Sequence, residues 1–182
     1  FADHYHEQVD AISYDVAHDS NFVSKDADGV FFPGARHKIW FDGHSFASGM
    51  FPFGNGKSQE SSSEAVNCYY GAYLWSLVRH GAATNPDSDT SSQTDFARLL
   101  LATEIRGART YWHMVPPDSS SKGKATTVYS PEFSKNYMVG NLGMLDAISS
   151  TWFGTESLYV HMINLIPVTA ITVELFDRRY VE

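Results

Sequence analysis

The chain has 182 residues, 43% hydrophobic and 19% charged, a balance that excludes a disordered or collagen-like polymer and favours a single domain. With 13 Lys and Arg against 21 Asp and Glu, its net charge of -8 repels phosphate backbones and anionic leaflets and argues against nucleic acid or a membrane surface as partner. Cys68 stands alone, so an intrachain disulfide is excluded and cysteine usage does not choose a compartment.

Tyr5, Val9, Ile12 and Val16 recur at helical spacing and predict an amphipathic helix over residues 1–18, ending near Asp19 and Asn21. Phe1 already falls inside that pattern, so the chain is expected to be a fragment or a processed product. From Ser20 to Gly56, glycines, Pro33, Pro52 and a dense set of aromatics (Phe31, Phe32, Trp40, Phe41, Phe46, Phe51, Phe53) break any period. Long irregular segments of this kind commonly line a functional surface. Residues 60–80 give the strongest helical pattern, with serines at the start and Gly81 placed to stop it. Asn85 to Ser92 reads as a polar loop. A second long helix is predicted from Thr94 to Met114, where Phe96, Leu100, Gly107, Tyr111 and Met114 form one stripe. Asp95 near its start and Arg106 and Arg109 near its end suit the helix dipole. Pro116 and Pro117 end it, and Ser119 to Lys124 reads as a loop. Further helices are predicted over Asn141 to Trp152 and Leu158 to Asp177, the latter interrupted at Pro167. His161, Asn164, Pro167 and Glu174 break the apolar stretch from Leu158 to Phe176, so it does not read as a membrane span, and no basic-then-apolar leader opens the chain. Strict period-two alternation is rare, so the expected fold class is all-α, an array of helical hairpins.

The helix read from Glu60 carries the most informative chemistry. At 100° per residue Glu60, Glu64, Asn67 and Gly71 share one stripe, and Val66, Tyr70, Tyr73 and Leu77 form an apolar one. Between Glu60 and Val78 the two glutamates are the only charges, which predicts a helix buried almost all round. Two carboxylates there must line a cleft, meet a distant cation or bind a metal; the bland alternative is a solvated acidic pair at a helix N-terminus. The company upstream favours the cleft. Trp40, Asp42, His44 and Phe46 supply the stacking faces and hydrogen-bonding groups that hold sugars, although core packing is the commoner fate of any single aromatic.

Three other motifs are weaker. Gly43-His44-Ser45-Phe46-Ala47 echoes an esterase nucleophile elbow but ends in alanine instead of glycine. Gly54-Asn55-Gly56-Lys57-Ser58 echoes a phosphate loop, with Phe51 where its first glycine belongs. Eight histidines include no His-x-x-x-His pair, so no metal site is expected.

The strings RHKIWFDGHSFASGMFPFGNGKSQESSSEAVNCYYGAYLW (Arg36 to Trp75), RLLLATEIRGARTYWHM (Arg98 to Met114) and WFGTESLYVHMINLIPVTAITVELF (Trp152 to Phe176) resemble glycoside hydrolase family 81, the endo-β-1,3-glucanases. The resemblance implies an (α/α)6 toroid of which this chain is one part, and inverting hydrolysis of β-1,3-glucan (laminarin, curdlan, cell-wall glucan) by a secreted enzyme without a cofactor. Carried over, Glu60 corresponds to the general base and Glu64 to the residue that positions or polarises the water. Trp40, Asp42, His44 and Phe46 correspond to the cleft-lining segment, and Asn67, on the glutamate stripe, is a further substrate-binding candidate. The family's acid comes from an aspartate in a D-H-H-F-H-Y-G motif. Asp3-His4-Tyr5-His6 echoes that motif without its Tyr-Gly, so the acid is expected upstream of Phe1. Phe46 stands where tryptophan is frequent, and Ile39 where many members are acidic.

Geometry adds its own requirement. Acid and base of an inverting glycosidase lie about 6.5–9.5 Å apart across the scissile bond. Residues four apart on a helix lie only about 5–6 Å apart and point the same way, so Glu60 and Glu64 can share the water side but cannot flank a sugar. A glucan-binding protein without catalysis and a serine esterase acting through Ser45 are the rival readings.

Overall fold

A computed structural model describes residues 1–18, 34–48, 53–80, 89–115, 127–176 and 178–181. Their elements in chain order are α1 (Ala2–Ala17), β1 (Ser58–Gln59), α2 (Ser62–His80), α3 (Asp89–Tyr111), α4 (Pro131–Ser134), β2 (Asn141–Gly143), β3 (Ala147–Ile148), α5 (Ser157–Leu165), α6 (Thr172–Leu175) and α7 (Arg178–Val181). The mainly helical expectation holds, with one small sheet added. The chain divides into two compact units, Phe1–Lys38 with Cys68–Ala102, and Ile39–Asn67 with Thr103–Glu182.

In the first unit α1 is fastened through Asp10, which accepts a hydrogen bond from Trp75 Nε1 (2.8 Å) and pairs with Arg79 (3.2 Å). Ala72, Ala97, Leu100 and Leu101 are buried. Lys38 reaches inward over the Tyr69 ring and donates to the Leu100 carbonyl at 3.1 Å, so its charge stays satisfied while its stem packs. A cavity of about 280 Å³ between α1, α2 and α3 is lined by Tyr14, Trp75, Arg79, His80 and Phe96 among others, and holds none of the sequence-predicted site residues. Leu74 and Val78 are exposed, so α2 is not buried all round as its lack of charge suggested.

The second unit packs around Trp112, Met114, Met138, Val139, Leu142 and Val160. The strands form an antiparallel sheet in the order β1-β2-β3, with Ser58 opposite Gly143, Gln59 opposite Leu142, and Asn141 opposite Ile148. Three predicted boundaries are corrected here. The helix expected over Asn141 to Trp152 is instead the β2–β3 hairpin, with Met144 and Leu145 as its two-residue tip. Its glycines show why. A Cβ on Gly140 would lie 2.5 Å from the Ser150 backbone, and one on Gly143 would lie 2.5 Å from the Asn55 amide, so both positions exist to let backbone or side chain approach. The second long helix stops at Tyr111, not Met114, because Trp112 and Met114 leave it to pair with the 137–139 segment (Met114 N to Tyr137 O 2.8 Å, Val139 N to Trp112 O 2.9 Å). That helix also starts earlier, taking in residues 89–92 of the expected loop. The third correction is that α2 begins at Ser62, leaving Glu60 ahead of the helix. The expected loop from Ser119 to Lys124, the prolines at 116 and 117, and residues 20–33 lie outside the described residues.

Candidate functional site

The segment from Glu60 to Asn67 is built by two helix ends that satisfy each other. The first N–H groups of any helix and its last carbonyls lack partners within the helix. Here Ser61 is the residue before α2, and its Oγ accepts from Glu64 N at 3.2 Å, an N-cap in a Ser-x-x-Glu sequence. The same Oγ donates to the Ile163 carbonyl at 2.6 Å, and Ser63 Oγ donates to Ile166 O (2.6 Å) and Ile163 O (3.0 Å), closing the C-terminal end of α5. Asn164, fully buried, latches the two ends together. Its Oδ1 accepts from Ser62 N (2.9 Å) and Ser62 Oγ (2.8 Å), and its Nδ2 donates to the Glu60 carbonyl (3.2 Å) and to Val160 O (2.9 Å). Thus the serine run is structural cement, and Asn164 holds the Glu60 carbonyl at the bend between β1 and α2.

Glu60 itself is buried, 9% exposed, and its Oε2 accepts from the backbone N–H of Trp152 at 2.7 Å. Burial pushes its carboxyl above the usual carboxylate range; the Trp152 N–H pulls the other way, and the negative charge of Glu64 raises it again. Glu64, on the first turn of α2, is exposed. The two carboxylates therefore do feel one another, although they do not share a helical stripe. Trp152 also donates its indole N–H to Ser58 Oγ (3.3 Å), and its half-exposed ring lies 5.6 Å from that of Phe53. Exposed Phe153 and Tyr159 form a second ring pair at 5.7 Å.

Asn67 is occupied otherwise. Its amide donates to Ser63 O (2.9 Å) and Pro167 O (3.1 Å) and accepts from Thr169 Oγ1 (2.6 Å), tying down residues 167–169.

The Asp42 to Phe46 stretch is a second cluster. Gly43 has φ +83°, and a Cβ there would sit 2.9 Å from the Thr103 carbonyl; Gly107 on α3 would likewise strike His44 N at 3.0 Å. Both glycines serve one close approach of loop to helix. It buries His44, 2% exposed, edge-on to Phe46 (5.0 Å) and Trp112 (4.9 Å). Its Nε2 lies 3.8 Å from Asp42 Oδ2, and Asp42 also bonds the Tyr111 hydroxyl, whose pKa rises through burial first and through Asp42 second. Tyr129 donates to Tyr111 O (2.9 Å) and is pushed up to about 12, chiefly by burial. Phe46 is buried, Trp40 half exposed and Phe41 almost wholly exposed. Of the expected sugar-contacting set, then, Trp40 and Asp42 reach the surface, whereas His44 and Phe46 back them from inside. The Ala47 and Ser48 N–H groups both donate to Ser58 O (3.0 and 3.2 Å), which fastens this stretch to β1.

Rival motifs do not assemble. Ser45 is buried and donates both N–H and Oγ to Glu104 Oε1 at 3.0 Å, so its hydroxyl is turned to a carboxylate where a nucleophile would face an imidazole. Residues 53–56 form a tight turn leading into β1, not into a helix N-terminus that could cradle phosphate. Asp3 lies exposed in the first turn of α1.

Sequence reasoning missed Trp152 and Asn164. Trp152 was hidden in a supposed helix. Asn164 carried a usable signal, since a polar side chain inside an apolar run either faces water or has buried partners.

The whole chain, residues 1–182, matches the model of the glycosyl hydrolase family 81 C-terminal domain. It is 37% identical over 150 residues to glucan endo-1,3-beta-D-glucosidase 2 of Saccharomyces cerevisiae, covering 82% of this chain and 17% of that protein. It is 33% identical over 144 residues to the glucan endo-1,3-beta-D-glucosidase of Acetivibrio thermocellus, covering 79% and 16%. A solved mutant of a glycoside hydrolase family 81 protein from Clostridium thermocellum superposes with a TM-score of 0.64 at 24% identity over 92% of this chain and 20% of that one, which shows a common fold. The chain thus spans about a sixth of the length of the curated relatives it matches.

Proposed function

Because the chain belongs to glycosyl hydrolase family 81, matching its C-terminal domain from end to end, we propose that it carries the water-activating side of an endo-acting β-1,3-glucan hydrolase. The observation that carries this reading is Glu60, a buried carboxylate fixed by the Trp152 N–H with the charge of Glu64 beside it. A general base works best when its pKa lies near the working pH, and burial moves Glu60 in that direction. Glu60 takes one proton from a water whose oxygen attacks the anomeric carbon. As that C–O bond forms, the glycosidic C–O bond breaks, and the leaving oxygen takes a proton from a carboxylic acid on another element of the enzyme. Configuration inverts, because water enters opposite the leaving group. Glu64 positions and polarises the water. The half-exposed Trp152 and Phe53 rings offer stacking faces for glucosyl units near the base, and Trp40 and Asp42 contribute a second contact.

The substrate in this reading is β-1,3-glucan of laminarin, curdlan or cell-wall type, outside the cell, without cofactor, nucleic acid or membrane. The test is Glu60→Gln in the full-length protein with laminarin. Loss of a general base predicts a fall of about 10²–10⁴-fold in kcat. Wild-type turnover should release the α-anomer first, seen by NMR before mutarotation. Unchanged turnover in the variant, or β-anomer as first product, refutes the reading.

A further inference from the structure

Beside the N–H that holds Glu60, the bend at residues 151–154 carries a second aromatic pair. Thr151 closes the bend with both of its donors, since its N–H (2.9 Å) and its Oγ1 (3.0 Å) meet the Gly154 carbonyl. The two residues spanned are Trp152 and Phe153, 47% and 58% exposed. Tight bends favour Gly, Pro, Asn, Asp and Ser, which shape the backbone and meet water freely. Two large rings in that place are unusual, and they join different partners. Trp152 meets Phe53, whereas Phe153 meets Tyr159 from the first turn of α5, with ring centroids 5.7 Å apart at 42°.

The second pair is built before any ligand arrives. A Cβ on Gly154 would lie 2.7 Å from Cδ2 and 2.9 Å from Cε2 of Tyr159, so the ring rests against the Gly154 backbone and any side chain there would push it aside. Tyr159 nevertheless stays 44% exposed. Rings already fixed in place lose little freedom when a ligand settles on them. Thr155, Glu156 and Ser157, which link the bend to Tyr159, are exposed and polar. Apolar rings rimmed by hydroxyls and a carboxylate suit a pyranose, which presents C–H bonds on its face and hydroxyls around its edge. A dry protein contact suits them less, because it would strand Glu156 away from water. The Cα of Phe153 is one residue, about 3.8 Å, from that of Trp152, whose N–H holds Glu60 Oε2.

We propose that Phe153 and Tyr159 form a platform for glucosyl units beyond those at the scissile bond, so that one bend both holds Glu60 and grips the polymer. This rests on Glu60 lying at the reacting centre of a β-1,3-glucan hydrolase. Phe153 and Tyr159 touch sugar and take no part in proton transfer. A long glucan reaches the Phe53–Trp152 pair and the Phe153–Tyr159 pair together, whereas a short oligosaccharide at the scissile position reaches only the first. The second pair therefore selects for chain length.

The experiment uses full-length Glu60→Gln as the parent and measures its affinity for laminarin and for laminaritriose by calorimetry, alone and with Phe153→Leu, Phe153→Tyr or Tyr159→Leu added. Leu keeps apolar bulk without a flat face, and Tyr keeps the face. Phe153→Leu and Tyr159→Leu should each weaken laminarin about 3–10-fold, the size of one ring contact, and laminaritriose by less than about 2-fold. Phe153→Tyr should bind laminarin within about 2-fold of the parent. Equal losses on both ligands, or Phe153→Leu and Tyr159→Leu variants that bind laminarin like the parent, overturn the platform and leave Glu60 untouched. A lowered melting temperature with unchanged laminarin binding does the same, by showing that the rings pack against protein. Hydrolysis of laminarin by the Glu60→Gln parent overturns instead the reading beneath it.

Discussion

Replacing Asn164 with alanine should loosen the site before it touches any reacting group. The side chain makes four hydrogen bonds and has no solvent exposure. One of them, to Val160 O, lies within α5, where the backbone N–H four residues on is the regular partner of that carbonyl. The other three are irreplaceable locally: Ser62 N, Ser62 Oγ and the Glu60 carbonyl lose a partner together. An unsatisfied buried group costs about 1–3 kcal/mol, so with some relief from entering water the sum is about 3–5 kcal/mol. That is a large share of the 5–15 kcal/mol that holds an ordinary domain together. Hydrogen exchange of a peptide spanning residues 58–66 in the full-length protein reads the effect locally. A loss of this size predicts exchange faster by about 10²–10⁴-fold in that peptide, and about an order of magnitude less in Asn164→Asp, which keeps both acceptor bonds to Ser62. Pairing Asn164→Ala with Ser62→Ala in a double-mutant cycle should give about 1–2 kcal/mol of coupling. Additive effects in that cycle, or exchange in the 58–66 peptide within about 3-fold of wild type, would show that the two helix ends are not latched by this amide.

Glu60→Gln should stabilise the protein at neutral pH, whatever the proposed fall of about 10²–10⁴-fold in kcat. A carboxyl whose folded pKa is raised contributes stability when protonated, present below its unfolded pKa and lost as pH rises through the folded one. At pH 7 the ionised Glu60 is therefore a cost, and glutamine removes it while keeping an acceptor for the Trp152 N–H. Melting temperature measured at pH 7 and pH 4 should show the variant ahead at the former and level at the latter; the reverse order contradicts the burial argument. Gly140→Ala forces its Cβ to within 2.5–2.6 Å of the Ser150 backbone, two residues before the amide that holds Glu60. It should cost about 1–3 kcal/mol and lower kcat on laminarin more than it raises KM, since the segment bearing Trp152 must move. Wild-type kcat in a stably folded Gly140→Ala would sever the proposed link between that segment and the role of Glu60 in hydrolysis.

Helices α1, α2 and α3 are legible in the sequence because a 3.6-residue period and its capping residues are local properties. Their ends are less so. Ser61 and Glu64 spell a capping box that sets the start of α2 at Ser62, yet periodicity alone extends the helix back through Glu60, and what stops it is Asn164, about a hundred residues away. The β2–β3 hairpin is illegible for a related reason: strands of three and two residues are too short to show alternation, and the need for Gly140 and Gly143 comes from Ser150 and Asn55. Aromatics near Asp42 mark a sugar cleft and a core equally well, and only burial sorts Trp40 from Phe46. The misplaced helix start bears on the chemistry. On a helix, the side chains nearest Glu60 would be those three and four positions away. Just past the end of β1 its flanks are open, so an amide from residue 152 can close on it from another part of the chain. A carboxylate that is to be both buried and held is better placed at such an end than on the helix that follows.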